Sequence, residues 1–564
     1  MSATQSLGHP PFPKWDKENG SVPSVPVFQN SIDDPVTSAV ISPDGRQLAY
    51  TDQSEGLVLL QIDTGEKRRF ANTGLENVVA WYPDGTHLLV QTSAFHGLFR
   101  QSTVDGSTRT VLDATFIVAN AAVSPDGARI AWIGGTGKDA SKVWVMDADG
   151  ESAHPILSGD SPEGIIGVDW SPTSRRIVLS SVDRQGTLGT LRTCDPEGHD
   201  CAVVLSDAKL TSINNGVTDV VWSADGRAIY KLRGSGANKE NVWAIPLDSD
   251  TGRVKGPASQ ITNWAGYYMN GLSTAHDRRR LAFERQRVSD EIRLLDLRKP
   301  SQTVATSRGL GGDNWSKWSG VWTPDGSSLI YLSNPQQRWG IFRQDLRTKE
   351  ISALITGPGN YDEPVISPDG KWLVFSKLAP KDSPKQIMRM LLNGGSPTVV
   401  LAGDISVQCA VTANVCVMVE QVKDGQELYR FDPVEGRGSH ITQIKGLFTW
   451  SLSFDGRKIA MQSDSALDRI EILDLQTGSK SGIELKNRSF GVASWAPDNQ
   501  HIYGSGEFDN KFQISCVGPK GEMKNIISVP VLAFIADPRP SPDGRYLEFR
   551  LRRYDSNVVM LENF

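Results

Sequence analysis

No apolar run in this 564-residue sequence approaches the ~20 residues that cross a bilayer as a helix. The first twenty residues hold Pro10, Pro11, Pro13, Lys14, Asp16, Lys17 and Glu18 and no apolar core, so they do not read as a secretory signal. The expected location is cytoplasmic if the chain is complete. It is extracytoplasmic if the chain is part of a longer, membrane-anchored protein. Positive charge is not in excess either. Lys and Arg number 59 against 65 acidic residues, a net charge of −6. That balance speaks against a nucleic-acid partner. The densest basic stretch, Arg278 to Arg280 with Arg285 and Arg287, reads as a charged turn and solvated strand faces.

Catalytic signatures are missing as well. There is no Gly-x-Ser-x-Gly elbow, no His-Arg-Asp loop, no Asp-Phe-Gly and no Gly-rich phosphate loop. The eight histidines are scattered and form no ligand set with nearby cysteines or carboxylates. Asp147-Ala148-Asp149-Gly150-Glu151 opens like a calcium loop but lacks the later ligands. It reads as an Asp-Gly hairpin turn. No cofactor, no metal and no catalytic residue is expected.

Cysteine is scarce, at five residues. Cys194 and Cys201 flank Asp195 to Asp200, and Cys409 and Cys416 flank Ala410 to Val415. Each pair sits at the two ends of a tight turn, where facing Cα atoms come within disulfide range. Two disulfides, or four free thiols, both fit the spacing. Cys516 is left over. His199 beside the first pair makes no usual zinc spacing.

Turns are what the sequence has in plenty, with 53 Gly and 31 Pro. The organising stretch is Ser42-Pro43-Asp44-Gly45-Arg46. Pro presets the second turn position, Asp tolerates the third, and Gly takes the left-handed conformation that closes a hairpin with a bulge. Related markers begin at Ser42, Tyr82, Ser124, Ser171, Ser223, Thr274, Thr323, Ser367, Ser453, Ala496 and Ser541. One double-length gap holds a worn marker at Thr412-Ala413-Asn414. The result is twelve repeats, each of the length of one four-stranded blade. A tryptophan precedes the marker five times, at Trp81, Trp170, Trp222, Trp322 and Trp495. This recurrence reads as packing between blades rather than a ligand cage.

One repeat shows the unit. Pro364–Ile366 is an inner strand, Trp372–Ser376 a buried one, Gln386–Met390 a half-exposed third and Thr398–Leu401 the outer strand. Capped helical periodicity is almost absent, so the fold class is all-β. Twelve blades exceed the 4–8 of one ring. Two tandem six-bladed β-propellers are therefore expected, at 24–300 and 301–564, after a disordered leader at 1–23. Residues 557–561 read as a third strand ending the last blade. Residues 302–306 are expected to close the second ring, and 24–28 to complete the sixth blade of the first.

The Ser-Pro-Asp-Gly repeats resemble those of TolB-type propellers and of the propeller halves of prolyl-oligopeptidase-like enzymes. The C-terminal half resembles a bacterial family, common in acidobacteria, in which such propellers follow a Ser/Thr kinase or a winged-helix regulator. The matching features are Cys409 with Cys416, the stretch Phe431 to Gly438, and the ending Met560 to Phe564. This resemblance implies a sensing role in bacterial signalling or at the envelope. A recognition module without catalysis is expected, binding a protein or peptide, with a glycan as a further option. The loops at 214–216 and 233–241 are first candidates for contact. The alternatives are a lyase or hydrolase acting in a propeller funnel, and the detached sensor half of a kinase or winged-helix regulator.

Overall fold

The computed structural model describes residues 24–564 apart from 29–35, 53–55, 71–74, 93–94, 137–141, 158–162, 184–187, 211–219, 234–239, 265, 277–279, 300–302, 312–315, 336–338, 358, 379–383, 464–465, 486–489, 509–510 and 531–532. The leader and most of both candidate contact loops lie outside the described residues. The described chain is strand and turn, with a short 3-10 turn at Ala208–Leu210. It divides into two compact units, one of residues 1–287 with 555–564 and one of 288–554. Each is a six-bladed β-propeller.

The Ser-Pro-Asp-Gly turn explains why the blades form where they do. The Ser42 hydroxyl donates to Asp44 Oδ1 at 2.6 Å and accepts the Gln47 N–H at 2.9 Å. Asp44 Oδ1 accepts the Arg46 N–H at 3.0 Å, and Gly45 sits at φ 71°. The turn closes on its own side-chain hydrogen bonds, and its Pro43 and Gly45 carbonyls are taken by the His276 N–H and the Arg280 guanidinium. The Ser/Thr-to-Asp bond recurs at Ser124, Ser223, Thr323, Ser367, Ser453 and Ser541. Where the glycine has been lost, Ser174 and Asn499 take the left-handed conformation instead, at φ 57° and 56°. The sixth marker lies one residue later than read, at Ala275, whose N–H bonds the Arg280 carbonyl.

Five blades of the first unit follow one another along the chain. They begin with the inner strands Val36–Ile41, Leu75–Trp81, Thr108–Val123, Glu163–Trp170 and Val220–Trp222. Thr108–Val123 is long enough to be the outer strand of one blade and the inner strand of the next. The five complete blades of the second unit begin with Lys317–Trp322, Asn360–Ile366, Ile405–Cys409, Leu447–Leu452 and Gly491–Trp495.

The sixth blades correct the sequence reading. In the first unit the strand order is Tyr268–Thr274, then residues 280–287, then residues 555–562, then Ser24–Phe28. Ser24 pairs with Leu561 and Val25 with Met560. The strand read as the end of the second ring is therefore a third strand of the first. In the second unit the order is Phe534–Pro540, residues 546–554, residues 288–296 and Arg308–Gly309. The closing strand is 308–309, where Gly309 faces Arg293, and not 302–306. Residues 303–306 form a turn held by the Thr306 N–H on the Thr303 carbonyl. Arg280–Asp296 and Tyr546–Glu562 are continuous strands of 17 residues, each with one end in each unit. Their length carries no turn marker, so the exchange left no local signal.

Four of the five tryptophans before the markers link neighbouring blades through their indole N–H, and Trp222 Nε1 has no hydrogen-bond partner among the described residues. Trp81 Nε1 donates to the Val40 carbonyl, Trp170 to Ala122, Trp322 to Arg539 and Trp495 to Ser451, all at 3.0–3.1 Å. The Trp322 bond joins the first and last blades of the second unit. In the first unit the Ile41 N–H on Ser273 Oγ, at 3.1 Å, does the same. Buried clusters between blades fill the remaining space, as in Ala460, Ile470, Phe490, Trp495 and Ile502.

Candidate functional site

A cavity of about 520 Å³ lies in the second unit. All six of its innermost strands contribute to the wall, so the cavity lies on the axis of that ring. Its two ends differ. Inner strands run into the marker turns, and Pro324, Pro368, Pro542 and Phe454 gather at that end. At the other end inner strands begin and second strands turn into third strands. There the wall is Asp404, Gln421, Gln426, Leu447 and Phe448, with Lys385 facing Glu363.

The polar mouth is built rather than accidental. Lys385 Nζ lies 2.7 Å from Glu363 Oε2, which also accepts the Ser376 hydroxyl at 3.1 Å. Glu363 holds a left-handed φ of 49° at a bulge between Asp362 and Val365. A non-glycine residue in that region is strained and needs a surrounding that fixes it. Gln426 Nε2 donates to Gln421 Oε1 at 2.9 Å, and its Oε1 accepts the Leu447 N–H at 3.2 Å. Phe448 is 59% exposed, a large free aromatic face on the channel wall.

Side chains of neighbouring blades cover the inner backbone edge. Gln408 Nε2 donates to the Trp450 carbonyl at 3.0 Å, and its Oε1 accepts the Leu452 N–H at 2.9 Å. Thr449 Oγ1 donates to the Val492 carbonyl at 2.8 Å, and Gln462 Oε1 accepts the Val492 N–H at 2.9 Å. Ser494 Oγ reaches the Pro538 carbonyl at 2.6 Å. Arg539 Nη1 reaches the Gly320 carbonyl at 2.8 Å.

Three carboxyls are pushed up, Glu548 buried and Asp362 and Asp169 half-buried. Burial raises Asp362, against the Glu363 N–H that donates to its Oδ1 at 2.8 Å. Burial raises Asp169, in the first unit, to about 7. Its Oδ2 accepts the Trp222 N–H at 2.6 Å, the same inter-blade place that Ser273 and Gln408 fill elsewhere, so its role is structural. Glu548 is 1% exposed, and burial raises it to about 8. Among the described residues its Oε2 has no hydrogen-bond partner, and a Cβ at Gly320 would lie 2.6 Å from its Oε1. The unfolded chain ionises this group near 4.5, whereas the folded one keeps the proton to about 8. The folded state therefore binds more protons between those values, and its stability falls as pH rises through them. We predict that Glu548→Gln removes a decline of roughly 1.4 kcal/mol per pH unit. Urea unfolding of both proteins from pH 5 to 8 checks this; parallel curves would refute it.

The structure joins Cys194 to Cys201 and Cys409 to Cys416, with Cα separations of 4.1 and 4.0 Å. Cys409 and Cys416 face each other directly across the first hairpin of their blade, and Cys409 lines the channel. Cys516 is free and half-buried, and burial pushes its thiol up to about 11. Of the channel wall, Cys409, Trp322, Trp495 and residues 364–366 were singled out in the sequence for other reasons, and the mouth residues Glu363, Lys385, Asp404, Gln421, Gln426 and Phe448 were not. No described group of three His, Cys, Asp or Glu side chains is placed to hold a metal. No helix of the described residues is long and apolar enough to cross a membrane.

No family model matches the chain. An uncharacterised protein of Agrobacterium fabrum is 35% identical over 81 residues, which is 14% of this chain. The match spans only 27% of that relative's length. Among solved structures, TolB from Acinetobacter baumannii is similar over 56% of this chain and 80% of its own, with TM-score 0.36 and 17% identity. The tricorn protease is similar over 91% of this chain and 59% of its own, with TM-score 0.34 and 13% identity. A puromycin-hydrolysing peptidase of Mycobacterium tuberculosis is similar over 64% and 52%, with TM-score 0.31 and 14% identity. A protease and a peptidase among these neighbours correct one expectation. The reading that the chain has no catalysis of its own, taken from missing motifs, is withdrawn. The β-propeller fold itself rests on the strand order described above.

Proposed function

We propose that this protein is a recognition propeller whose second unit takes up a soluble partner, a protein, peptide or glycan, in its axial channel. The observation that carries this reading is the 520 Å³ channel with one polar mouth and the exposed Phe448. That volume lies within the ~300–1,000 Å³ of small-ligand pockets. Hydrogen bonds between blades hold the wall in place, so binding need not order it first. The resemblance of the C-terminal half to the sensing parts of signalling proteins agrees with this use.

The test is saturation-transfer NMR on the full chain against two libraries, one of soluble oligosaccharides and one of short peptides. Signals are expected from at least one library. They should vanish with Ala493→Arg, which fills the channel from its wall. Silence from both libraries, or signals that survive in the filled variant with an unchanged melting temperature, would overturn the proposal.

A further inference from the structure

We infer that the ligand of this channel is a neutral oligosaccharide, bound with one sugar ring against Phe448. The inference rests on the channel reading above and names its ligand class. Three observations favour a sugar over a peptide.

The first is the inner backbone edge. An extended peptide is held in a sheet protein mainly by pairing with unpaired strand N–H and C=O groups. Here the Trp450, Val492, Pro538 and Gly320 carbonyls and the Leu452 and Val492 N–H groups already bond side chains of adjacent blades. On these four of the six inner strands the channel therefore offers side chains and not a backbone ladder.

The second is the kind of side chain at the mouth. Gln421 and Gln426 present amides, which donate and accept, and Asp404 presents an exposed carboxylate. Sugar hydroxyls are donor and acceptor at once and match such groups in either sense. The Gln421–Gln426 bond fixes one amide against the other, so the pair meets a ligand already oriented. Phe448 adds an apolar face of the kind that packs against the C–H face of a pyranose.

The third is charge. Lys385 is matched by Glu363. Arg539 is committed to the Gly320 carbonyl. Among the described residues that line the channel, Asp404 then offsets the remaining positive charge, and an anionic ligand such as an acidic peptide or a phosphate ester gains nothing from them.

Calorimetric titration of the full chain with neutral gluco-, manno- and N-acetylglucosamine oligosaccharides tests the inference. One series is expected to bind. Phe448→Ala should weaken it roughly tenfold or more, and Phe448→Trp should restore it. Asp404→Asn should weaken it less, because the amide still reaches a hydroxyl. Melting temperatures should stay unchanged, since the Phe448 ring is exposed. Binding of peptides alone would overturn the sugar assignment and leave the channel proposal standing. No binding by any sugar, or sugar binding unaffected by Phe448→Ala, would also overturn it.

Discussion

A chain lacking residues 555–564 is expected to lose the first unit while keeping the second. The C-terminal strand is buried on both faces. Val558 and Met560 enter a cluster with Val36, Tyr50 and Ala282, and Val559 and Leu561 enter another with Ile229, Met269 and Phe283. All four are at most 4% exposed. At about 1.5–3 kcal/mol for each fully buried side chain, their loss approaches the whole stability of an ordinary domain. Deletion also strips the partner of Ser24–Phe28 and removes the Phe564 carbonyl that Arg227 Nη2 reaches at 2.9 Å. Hydrogen exchange checks this. Protection should collapse in Val36–Ile41 and Arg227–Arg233 and persist in Ile405–Cys409. Retained protection throughout would mean that the strand is dispensable.

Trp495→Ala is expected to destabilise the second unit by roughly 3–5 kcal/mol, the usual cost of emptying a buried aromatic site. Trp495 is 1% exposed, packs with Phe490 and Ile502, and donates to the Ser451 carbonyl of the preceding blade at 3.0 Å. Trp495→Phe keeps most of the packing and loses the bond, at about 1 kcal/mol. Because Trp495 also borders the channel, the phenylalanine variant separates two roles. Ligand affinity should be unchanged while the urea midpoint drops. Equal stability of the alanine variant would refute the packing role, and a loss of affinity in the phenylalanine variant would make Trp495 a ligand contact.

The blades were legible because their signals are local. A Ser-Pro-Asp-Gly turn closes on its own hydrogen bonds, so it marks a hairpin wherever it occurs. The tryptophans recur at one place in the repeat because one geometric task recurs there. Ring closure was less legible. Arg280–Asp296 passes from one unit to the other without a break, and only long-range pairing decides that 555–562 lies beside it. A funnel was expected from the fold, but the residues at its mouth were not legible. Facing in a strand follows alternation, and a bulge shifts that alternation by one residue. Bulges interrupt the register between Leu447 and Thr449 and between Asp362 and Val365, just where Phe448 and Glu363 sit. The raised carboxyl of Glu548 depends on the approach of Gly320, over two hundred residues away in sequence.

The membership of residues 555–564 in the first unit has a consequence for the order of synthesis. A ribosome delivers the chain from its N-terminus, and an autonomous leading domain folds as soon as it emerges. This leading domain cannot do so. At about 5–20 residues per second, its five complete blades wait on the order of tens of seconds for their last strand. In that interval the strand at 280–287 has an open flank, the kind of edge that recruits stray strands from other chains. The second unit needs only residues 288–554 and so completes its sheets first. The part of the molecule begun first is finished last.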